Sequence, residues 1–266
     1  MGNPFYLKGE IKERKKVASF YHRLRISLPY PIGPITPGQF AMLKVEGAGV
    51  ILPRPFAIHN FGEEKKVPWL EFLFKVVGKG TGLLAGLSVG SPIMVLAPLG
   101  KGFPDPPPGY KALLIAGGIG IAPLFSFIMR LKASRSLHCL LYGAKTQDDL
   151  ICLSELLNLE ITVKTATEDG SVGRKGIVTE LLREESDHGR DRTVIYACGP
   201  EPMLKEVAGF AAKNKMLCWI SLERRMACGV GACLGCVVKT KYGYKRVCND
   251  GPIFEAQQIV WERCPT

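Results

Sequence analysis

The sequence predicts a β + α/β chain, with an N-terminal antiparallel β-barrel, a doubly wound parallel α/β sheet and a C-terminal module rich in cysteine. Three observations predict this architecture. Short apolar strands separated by turn residues fill residues 7–100, strands then alternate with helices through residues 112–220, and four cysteines gather between residues 228 and 248. We therefore expect three domains, at residues 1–103, 110–220 and 221–266.

Composition and charge narrow the class of protein. The chain has 266 residues, of which 47% are hydrophobic, and this is enough for two packed cores. The net charge of +11 is concentrated in residues 8–25 and 213–246. We expect the first stretch to be a solvated face and the second to attract an acidic partner or an anionic ligand. Neither stretch interleaves aromatic residues with its charges, which argues against nucleic-acid binding.

The sequence gives no sign of a membrane segment or of secretion. The uncharged run at residues 112–129 is interrupted by Gly117, Gly118, Gly120 and Pro123, so it predicts a strand, a turn and the start of a helix. The chain starts without a signal-peptide pattern. Five cysteines are scattered singly, as in proteins of a reducing compartment: Cys139, Cys152, Cys198, Cys218 and Cys264. We expect a cytoplasmic protein.

The barrel is predicted from alternating strands. A proline-rich turn at residues 30–38 precedes an apolar strand at residues 39–45. In residues 69–77, Glu71 and Lys75 fall on one face of the strand, and the other face is apolar, with Leu70, Phe72, Phe74 and Val76. This alternation predicts a strand with one buried side.

Two short motifs in the barrel suit phosphate binding. Arg54 opens the run Arg-Pro-Phe-Ala-Ile, and an arginine fork matches a pyrophosphate. About twenty residues later, Gly-Lys-Gly-Thr at residues 78–81 precedes a helical stretch at residues 83–87, where free N–H groups are available to a phosphate. Each motif alone is more often structural. Together they predict a site for a dinucleotide.

A proline-rich linker at residues 104–109 separates the barrel from the α/β region. Beyond it, the pattern predicts strands at residues 112–116, 138–142, 161–165, 193–197 and 217–220, and helices at residues 122–132, 150–157, 176–183 and 200–213. In a doubly wound sheet of this kind, ligands bind at the carboxyl ends of the strands.

Two loops of this sheet each follow a strand and open a helix. The first contains Gly117, Gly118 and Gly120, which can admit a pyrophosphate to the helix N-terminus, although Pro123 replaces the third glycine of the usual pattern. The second is Cys198-Gly199-Pro200. Both are predicted to face one crevice. Cys198 fits a buried strand-end thiol as well as it fits a direct role beside a nicotinamide.

The cysteines Cys228, Cys233, Cys236 and Cys248 have the spacing C-x4-C-x2-C-x11-C. The first three reproduce the spacing of plant-type 2Fe-2S loops. The intervening glycines, Gly229, Gly231 and Gly235, permit a backbone that curls around a small inorganic core. A four-cysteine zinc site and a disulfide pair are the alternatives, although zinc sites more often space their ligands as C-x2-C pairs.

Taken together, these motifs resemble the ferredoxin-NADP reductase superfamily. Residues 54–58 resemble its Arg-Pro/Tyr-x-Ser flavin motif, residues 117–124 its Gly-Gly-x-Gly-x-Ala-Pro-Leu nucleotide loop, and residues 198–200 its Cys-Gly-Pro loop. One branch is closer still. Residues 221–236 and 248–254, with the tail Asp-Gly-Pro-x-Phe, resemble the electron-transfer subunit of heteromeric dihydroorotate dehydrogenase.

The resemblance implies which residues hold each cofactor. FAD would be lined by Arg54, Pro55, Phe56, Ala57, Leu73, Phe74, Lys75, Gly80 and Thr81. NAD(H) would meet Gly117, Gly118, Gly120, Cys198, Gly199 and Pro200, and the cluster would be held by Cys228, Cys233, Cys236 and Cys248. One position departs from the family: Ala57 stands where a serine hydroxyl usually approaches the redox edge of the flavin.

The resemblance also implies an oxidoreductase that works as an electron relay. An FMN-containing catalytic subunit would oxidise dihydroorotate, and electrons would pass through 2Fe-2S and FAD to NAD+ in pyrimidine (UMP) biosynthesis, in a heterotetramer of two subunits of each kind. Such a relay requires no catalytic proton-transfer residue in this chain.

The sequence also predicts a coenzyme preference. Glu168 and Asp169 follow the strand at residues 161–165, where their carboxylates would repel the 2′-phosphate of NADPH. They therefore favour NADH over NADPH, and Lys145 is the main opposing charge.

The sequence is also compatible with two alternative functions. The small subunits of NADH-dependent ferredoxin:NADP oxidoreductases and of sulfide dehydrogenases resemble this chain in all three modules, although some of them replace one cluster cysteine by aspartate. The four cysteines here favour the orotate branch. A zinc-stabilised binding protein with a vestigial flavin fold is the alternative from another class.

Overall fold

The computed structural model describes residues 4–47, 49, 51–185 and 192–261, so Cys264 lies outside the described residues. Its N-terminal part is a seven-stranded antiparallel sheet with one helix, α1, between its last two strands in the chain. The elements are β1 (Phe5–Ala18), β2 (Tyr21–Ser27), β3 (Phe40–Lys44), β4 (Arg54–Ala57), β5 (Asn60–Glu64), β6 (Val67–Lys75), α1 (Lys79–Gly86) and β7 (Pro92–Leu99).

The N-terminal sheet curls around its own apolar core. Its strand order is β4-β3-β7-β1-β2-β6-β5, so β4 and β6 lie near opposite ends of the sheet. The rings of Phe56 on β4 and Phe74 on β6 are nevertheless only 5.2 Å apart between centroids, which brings the two ends together. Apolar side chains from the strands fill the interior, among them Ile11, Leu24, Leu43, Phe72 and Val95. The predicted antiparallel barrel is confirmed as this curled sheet.

Two local expectations for the barrel were wrong. Strand β1 runs for 14 residues, so the strands are not all short. Strand β6 has both faces buried, because Leu73 packs into the apolar cluster of the second sheet while Phe72 and Phe74 fill the barrel. Glu71 on the covered face is only 3% exposed. Its carboxylate is compensated by the guanidinium of Arg25 at 3.0 Å.

The second sheet is parallel through its first six strands. Its elements are β8 (Lys111–Gly117), α2 (Ile121–Ala133), β9 (Leu137–Ala144), α3 (Leu153–Asn158), β10 (Val163–Thr167), β11 (Arg174–Lys175), α4 (Val178–Glu185), β12 (Thr193–Cys198), α5 (Glu201–Lys213) and β13 (Leu217–Ser221). The C-terminal module adds β14 (Val237–Thr240), β15 (Gly243–Arg246), α6 (Val247–Asp250) and β16 (Ile253–Glu255). The strand order of the second sheet is β11-β10-β9-β8-β12-β13-β16.

The predicted alternation of strands and helices is confirmed, with small shifts in position. Strand β10 begins two residues later than expected, and a short 3-10 turn at Gln147–Asp149 precedes α3. Strand β16 was not predicted. It joins the second sheet, where Ser221 pairs with Ile253 in antiparallel register. This pairing fixes the cysteine-rich module to the edge of the α/β sheet.

The cysteine-rich module also packs against the barrel. The N–H of Lys101, just beyond β7, donates a hydrogen bond of 2.6 Å to the carbonyl of Gly251. A Cβ atom added at Gly229 would lie 2.6 Å from Cγ of Met42 on β3, so this glycine is in direct contact with the barrel. The three parts of the chain therefore meet, and the loop that contains the cysteines lies at their junction.

None of the helices in the described part of the chain is both long enough and apolar enough to cross a membrane.

Candidate functional site

A cleft of about 650 Å³ opens at the carboxyl ends of β8, β9 and β12. It is lined by both loops that were expected to share a crevice, through Gly117, Gly118, Gly120, Gly199 and Pro200. The barrel contributes Tyr21 and Lys75, and the C-terminal module contributes Glu223 and Arg224. The cleft therefore lies where a doubly wound sheet binds its ligand, and all three parts of the chain reach it.

The glycines of the first loop have different physical roles. A Cβ atom at Gly120 would lie 2.1 Å from the carbonyl oxygen of Cys198, and one at Gly117 would lie 2.8 Å from Sδ of Met203. These two positions therefore allow the loops to pack against each other. Gly118 has φ +51° and open space where a side chain would point, so a ligand can approach its backbone closely. Pro123 lies in the first turn of α2, where its missing N–H has no intrahelical partner to lose.

Cys198 is buried beneath this loop contact. Its side chain is 1% exposed and does not line the cleft. Burial raises the pKa of its thiol well above the usual range. The carbonyl of Cys198 thus packs against Gly120. The thiol stays neutral and lies below the cleft.

The loops after β9 and β10 contribute charged side chains to the cleft. Glu168 follows β10, Lys145 follows β9, and both line the cleft. Asp169, which was expected to act with Glu168, does not line it. Its carboxylate instead accepts hydrogen bonds from the hydroxyl of Ser171 at 2.7 Å and from the N–H of the same residue at 3.0 Å. Of the two carboxylates predicted after β10, only Glu168 therefore lines the cleft.

The two weak phosphate motifs of the barrel come together in the structure. A Cβ atom at Gly80 would lie 2.6 Å from Nε of Arg54, so the guanidinium packs directly against the first turn of α1. The first intrahelical hydrogen bond runs from the N–H of Gly82 to the carbonyl of Gly78, at 2.9 Å. The three N–H groups before Gly82 therefore precede the helical ladder. A cation and a helix N-terminus side by side suit a diphosphate.

Helix α1 begins earlier than the sequence predicted. Residues 79–81 form its first turn, whereas the helix was expected at residues 83–87. The hydroxyl of Thr81 accepts hydrogen bonds from the N–H groups of Val77 at 2.9 Å and Gly78 at 3.1 Å. Its side chain therefore caps the helix, and its contribution to a phosphate site would come from the backbone.

The other expected flavin residues lie on β4 and at the end of β6. Pro55, Phe56 and Ala57 are partly buried, and Leu73 and Phe74 are almost fully buried, at 3% and 2% exposed. Phe74 packs inside the barrel, and Leu73 packs toward the second sheet. A ligand that runs along this edge would therefore contact the backbone of Leu73 and Phe74 more than their side chains.

Lys75 connects the barrel edge to the cleft. Its ammonium lies 3.5 Å from Oδ1 of Asp149 in the second domain and 4.8 Å from the centre of the Tyr21 ring. The Tyr21 hydroxyl donates a hydrogen bond of 2.6 Å to the same carboxylate oxygen. Sequence reasoning missed Tyr21 and Asp149, which are 128 residues apart and belong to no recognisable motif.

The four cysteines of the C-terminal module surround one loop. Cys233 is exposed, Cys228 is partly buried, and Cys236 and Cys248 are each 2% exposed. Backbone N–H groups point at the sulfurs: Gly231 donates to Sγ of Cys248 at 3.1 Å, and Cys248 donates to Sγ of Cys236 at 3.4 Å. Positive φ angles at Gly229 and Gly231 permit this curl, as expected, whereas Gly235 does not adopt one.

The choice between a cluster and a single zinc ion rests on the ligand set and its spacing. The loop offers four cysteines, and the first three have the C-x4-C-x2-C spacing of plant-type 2Fe-2S loops, whereas zinc sites more often use C-x2-C pairs. Another set of three ligand-type side chains in the described ranges has its donor atoms within 4.8 Å of one another, namely His138, Cys139 and Glu185, and it lies outside the loop.

The loop also favours the thiolate form that metals bind. Burial raises the pKa of Cys228, but hydrogen bonds from the backbone N–H groups of Cys233, Val230 and Ala232 outweigh it and lower the pKa to about 6. A thiolate held by several N–H groups is the ligand state that iron-sulfur centres require.

The cysteine loop lies close to the expected flavin motif. Gly229 packs on Met42 of β3, and Met42 pairs directly with Pro55 of β4. One strand therefore separates the loop from the Arg54-Pro55-Phe56-Ala57 segment. Lys75, at the end of β6 in the same barrel, lines the cleft. The three candidate sites are consecutive in space.

Comparison with known families agrees with this arrangement. Residues 223–260 match the iron-sulfur cluster binding domain of dihydroorotate dehydrogenase B. Residues 114–209 match the oxidoreductase NAD-binding domain.

Whole-chain relatives decide the family. The dihydroorotate dehydrogenase B (NAD(+)) electron transfer subunit of Desulforamulus reducens is 40% identical over 231 residues, which cover 85% of this chain and 87% of that protein. The chain belongs to this family of electron-transfer subunits. A homologue of the subunit from Aquifex aeolicus is 38% identical over 257 residues, covering 96% of this chain and 98% of that protein. The expected oxidoreductase class and the iron-sulfur and NAD-binding domains of the family are thereby confirmed.

Solved structures agree on the fold of these electron-transfer subunits. A structure of NADH-dependent reduced ferredoxin-NADP oxidoreductase, described for flavin-based electron bifurcation, superposes with a TM-score of 0.83 at 29% identity and covers 95% of this chain and 90% of its own. The cytochrome b5 reductase domain of Ulva prolifera nitrate reductase superposes at 0.67, with 18% identity and coverage of 80% and 94%. The second likeness shows the fold alone.

Proposed function

We propose that this chain carries electrons from an FMN-containing dihydroorotate dehydrogenase subunit through a 2Fe-2S cluster and FAD to NAD+, in de novo pyrimidine (UMP) biosynthesis. The observation that carries the proposal is the spatial order of the three sites. The cysteine loop contacts β3, β3 pairs with the flavin strand β4, and Lys75 of the barrel lines the nucleotide cleft.

The residues divide the work of binding. Cys228, Cys233, Cys236 and Cys248 hold the cluster, with backbone N–H groups directed at its sulfur ligands. Arg54 and the first turn of α1 hold the FAD diphosphate. The open backbone at Gly118 and the N-terminus of α2 receive the pyrophosphate of the nicotinamide nucleotide. When bound, FAD exchanges single electrons with an iron-sulfur centre and a hydride with NAD+.

The protein also determines the surroundings of the nicotinamide site. The neutral, buried thiol of Cys198 presents no charge below the cleft. The two loops also pack closely against each other, because a Cβ atom at Gly199 would lie 3.0 Å from Cα of Gly117. Positioning and shielding are thus the contributions of the protein, and no side chain is required to transfer a proton.

The proposed docking face is formed by exposed side chains of the C-terminal module, which include Cys233. Val230 and Leu234 in the loop are 45% and 61% exposed, and Tyr242 and Tyr244 on the β14–β15 hairpin are 74% and 64% exposed. Exposed aromatic and apolar side chains in the module that holds a redox centre are suited to a protein interface. The eight Lys or Arg of residues 213–246 would attract an acidic partner surface. We propose a heterotetramer with two subunits of each kind, located in the cytoplasm.

We propose functional limits for the domains that match the expected ranges: residues 1–103 for FAD, 110–220 for NAD(H) and 221–266 for the cluster. The contact between Lys101 and Gly251 and the pairing of β13 with β16 connect these units without merging their ligand sites.

A second candidate function is supported by one observation. The ferredoxin-NADP oxidoreductase structure superposes over 95% of this chain at 29% identity. The higher identity of 40% to the orotate-branch subunit favours the first candidate. Turnover with dihydroorotate and a cognate FMN subunit, compared with turnover with ferredoxin, separates the two.

Anaerobic titration of the isolated chain with NADH is the first test. We expect the purified protein to show flavin bands together with broad iron-sulfur absorption, and NADH to bleach both, because the cleft, flavin strand and cysteine loop are consecutive. If NADH bleached the flavin alone and left the cluster oxidised, although the potential of the cluster allows NADH to reduce it, the proposed route would be contradicted. A colourless protein that contains zinc would contradict both cofactor assignments.

Coenzyme preference provides a test of the cleft. We expect NADH to outperform NADPH, because the Glu168 carboxylate repels a 2′-phosphate, and Glu168→Gln to raise the relative efficiency of NADPH roughly tenfold. Asp169→Asn is the matched control, since that carboxylate is occupied by Ser171. The measurement is the ratio of kcat/KM values in dye reduction. Equal wild-type efficiencies for NADH and NADPH would refute the assignment of Glu168.

A further inference from the structure

Arg246 connects the two halves of the cysteine-rich module. It ends β15, two residues before Cys248. One guanidinium nitrogen donates a hydrogen bond of 3.0 Å to the carbonyl of Gly231, between Cys228 and Cys233. Its Nε lies 3.3 Å from Oδ2 of Asp250, which also accepts the Arg246 backbone N–H at 2.7 Å. One side chain thus joins the loop of the first three cysteines to the turn that carries the fourth.

Gly231 is held from both sides by this arrangement. Its N–H donates to Sγ of Cys248, and its carbonyl accepts from Arg246. A Cβ atom at Gly231 would lie 3.2 Å from Nη1 of Arg246 and 3.2 Å from Cβ of Asn249, so the packing leaves little free space. The position of this peptide segment, and with it the direction of one N–H···S bond, depends on the guanidinium.

The same network reaches the barrel. Asp250 is followed by Gly251, whose carbonyl accepts the hydrogen bond from Lys101. A Cβ atom at Gly100 would lie 2.6 Å from Cδ of Pro252 and 2.9 Å from Cε1 of Phe40. Phe40 pairs with Ala57 in the flavin strand. Arg246 therefore anchors the cysteine loop to a turn that is itself fixed beside the flavin motif.

We propose that Arg246 is a positioning residue that fixes the cluster loop and that its charge raises the reduction potential of the cluster. This inference rests on the proposed function of the cysteines. Reduction adds a negative charge to the cluster, and a cation held against the ligand loop stabilises that charge. The side chains of Arg246 and Asp250 are 36% and 24% exposed, so water screens this charge only in part.

The experiment uses the full chain with its cofactors and three variants. Arg246→Gln removes the cation and leaves Asp250 unpaired. Arg246→Lys keeps the charge, but it lacks the planar guanidinium that bonds both the Gly231 carbonyl and Asp250. Lys241→Gln removes a positive charge from the exposed end of the same hairpin and is the matched control. The readouts are the midpoint potential of the cluster from anaerobic titration followed by EPR, and the rate of iron loss to a chelator.

We expect a lower midpoint potential in Arg246→Gln and iron loss roughly tenfold faster than in the wild type, as for the loss of outer-shell partners of metal ligands. Arg246→Lys should keep a midpoint near that of the wild type while losing iron faster. Lys241→Gln should change neither quantity. A midpoint in Arg246→Gln equal to that of Lys241→Gln would overturn the electrostatic part, and an unchanged rate of iron loss would overturn the positioning part.

If Arg246→Gln retains FAD but purifies without a cluster, its stabilising role is supported, and Asp250→Asn then tests the charge. That variant keeps the cation and removes its counter-charge, so the midpoint should rise, and a midpoint at or below the wild-type value would overturn the electrostatic claim. A wild-type chain without an EPR signal after reduction and iron reconstitution would instead refute the proposed function.

Discussion

Cys233→Ala is expected to yield a protein without its 2Fe-2S cluster and with normal FAD content. Cys233 supplies one of four ligands and is exposed, so its replacement leaves no buried cavity. Three thiolates do not complete the four-cysteine ligation of a plant-type cluster. The FAD site should survive, because Arg54 and α1 belong to the barrel, whereas Cys233 belongs to the C-terminal module.

Iron and flavin analysis of the purified variant measures both halves of this expectation. Cys139→Ala is the matched control, because it removes a buried thiol on β9, outside the loop. The control should keep both irons and FAD. Two irons per chain in Cys233→Ala would contradict the ligand assignment, and a parallel loss of FAD would contradict the separation of the two sites.

Arg54→Ala is expected to lose FAD during purification. The guanidinium packs on the first turn of α1, where cation and N–H groups converge, and we assign the diphosphate to this place. A hydrogen bond to a charged group is worth about 1.5–3 kcal/mol, so the loss of one such bond weakens binding roughly ten- to hundredfold. Loss of a bidentate pair has a larger effect.

FAD content after dialysis checks this result. Arg14→Ala is a sharp control, because Arg14 donates a hydrogen bond of 2.8 Å to the carbonyl of Ala85 in the same helix. If Arg54→Ala acted only by disturbing α1, both variants would lose FAD. Ala57→Ser should retain FAD and change only the kinetics of flavin reduction. Full occupancy in Arg54→Ala would contradict the position of the diphosphate.

Features with a local sequence signal could be predicted from the sequence. The C-x4-C-x2-C spacing predicted the cluster loop, and the alternation of strands and helices predicted the parallel sheet. The glycines at positions 117–120 identified the cleft because a close approach of backbone to ligand needs residues without a side chain. In the sequence, Arg54 and Gly80 were related only because both suit phosphate binding. The structure brings them into contact.

Features that depend on distant segments could not be predicted. Glu71 was predicted to face solvent because the alternation of polar and apolar residues describes only the strand's own sheet. It carries no information about a second domain that covers the outer face of that sheet. The contact of Tyr21 with Asp149 joins residues 128 positions apart, without a repeat or motif. The bond from Arg246 to Gly231 spans 15 positions and depends on the fold of the loop itself. Burial and tertiary pairing determine these features.

Reconstitution of electron transfer from dihydroorotate to NAD+ tests the central claim most directly. The isolated chain should not oxidise dihydroorotate, because its recognisable sites are two nucleotide sites and one cluster, and electrons must enter from a partner. Addition of the cognate FMN-containing subunit should create NADH formation that depends on dihydroorotate and is abolished by Cys233→Ala, while that variant still reduces dyes with NADH at FAD. Turnover of dihydroorotate by the isolated chain, or no coupled NADH formation from cluster-loaded protein with its FMN subunit, would contradict the account.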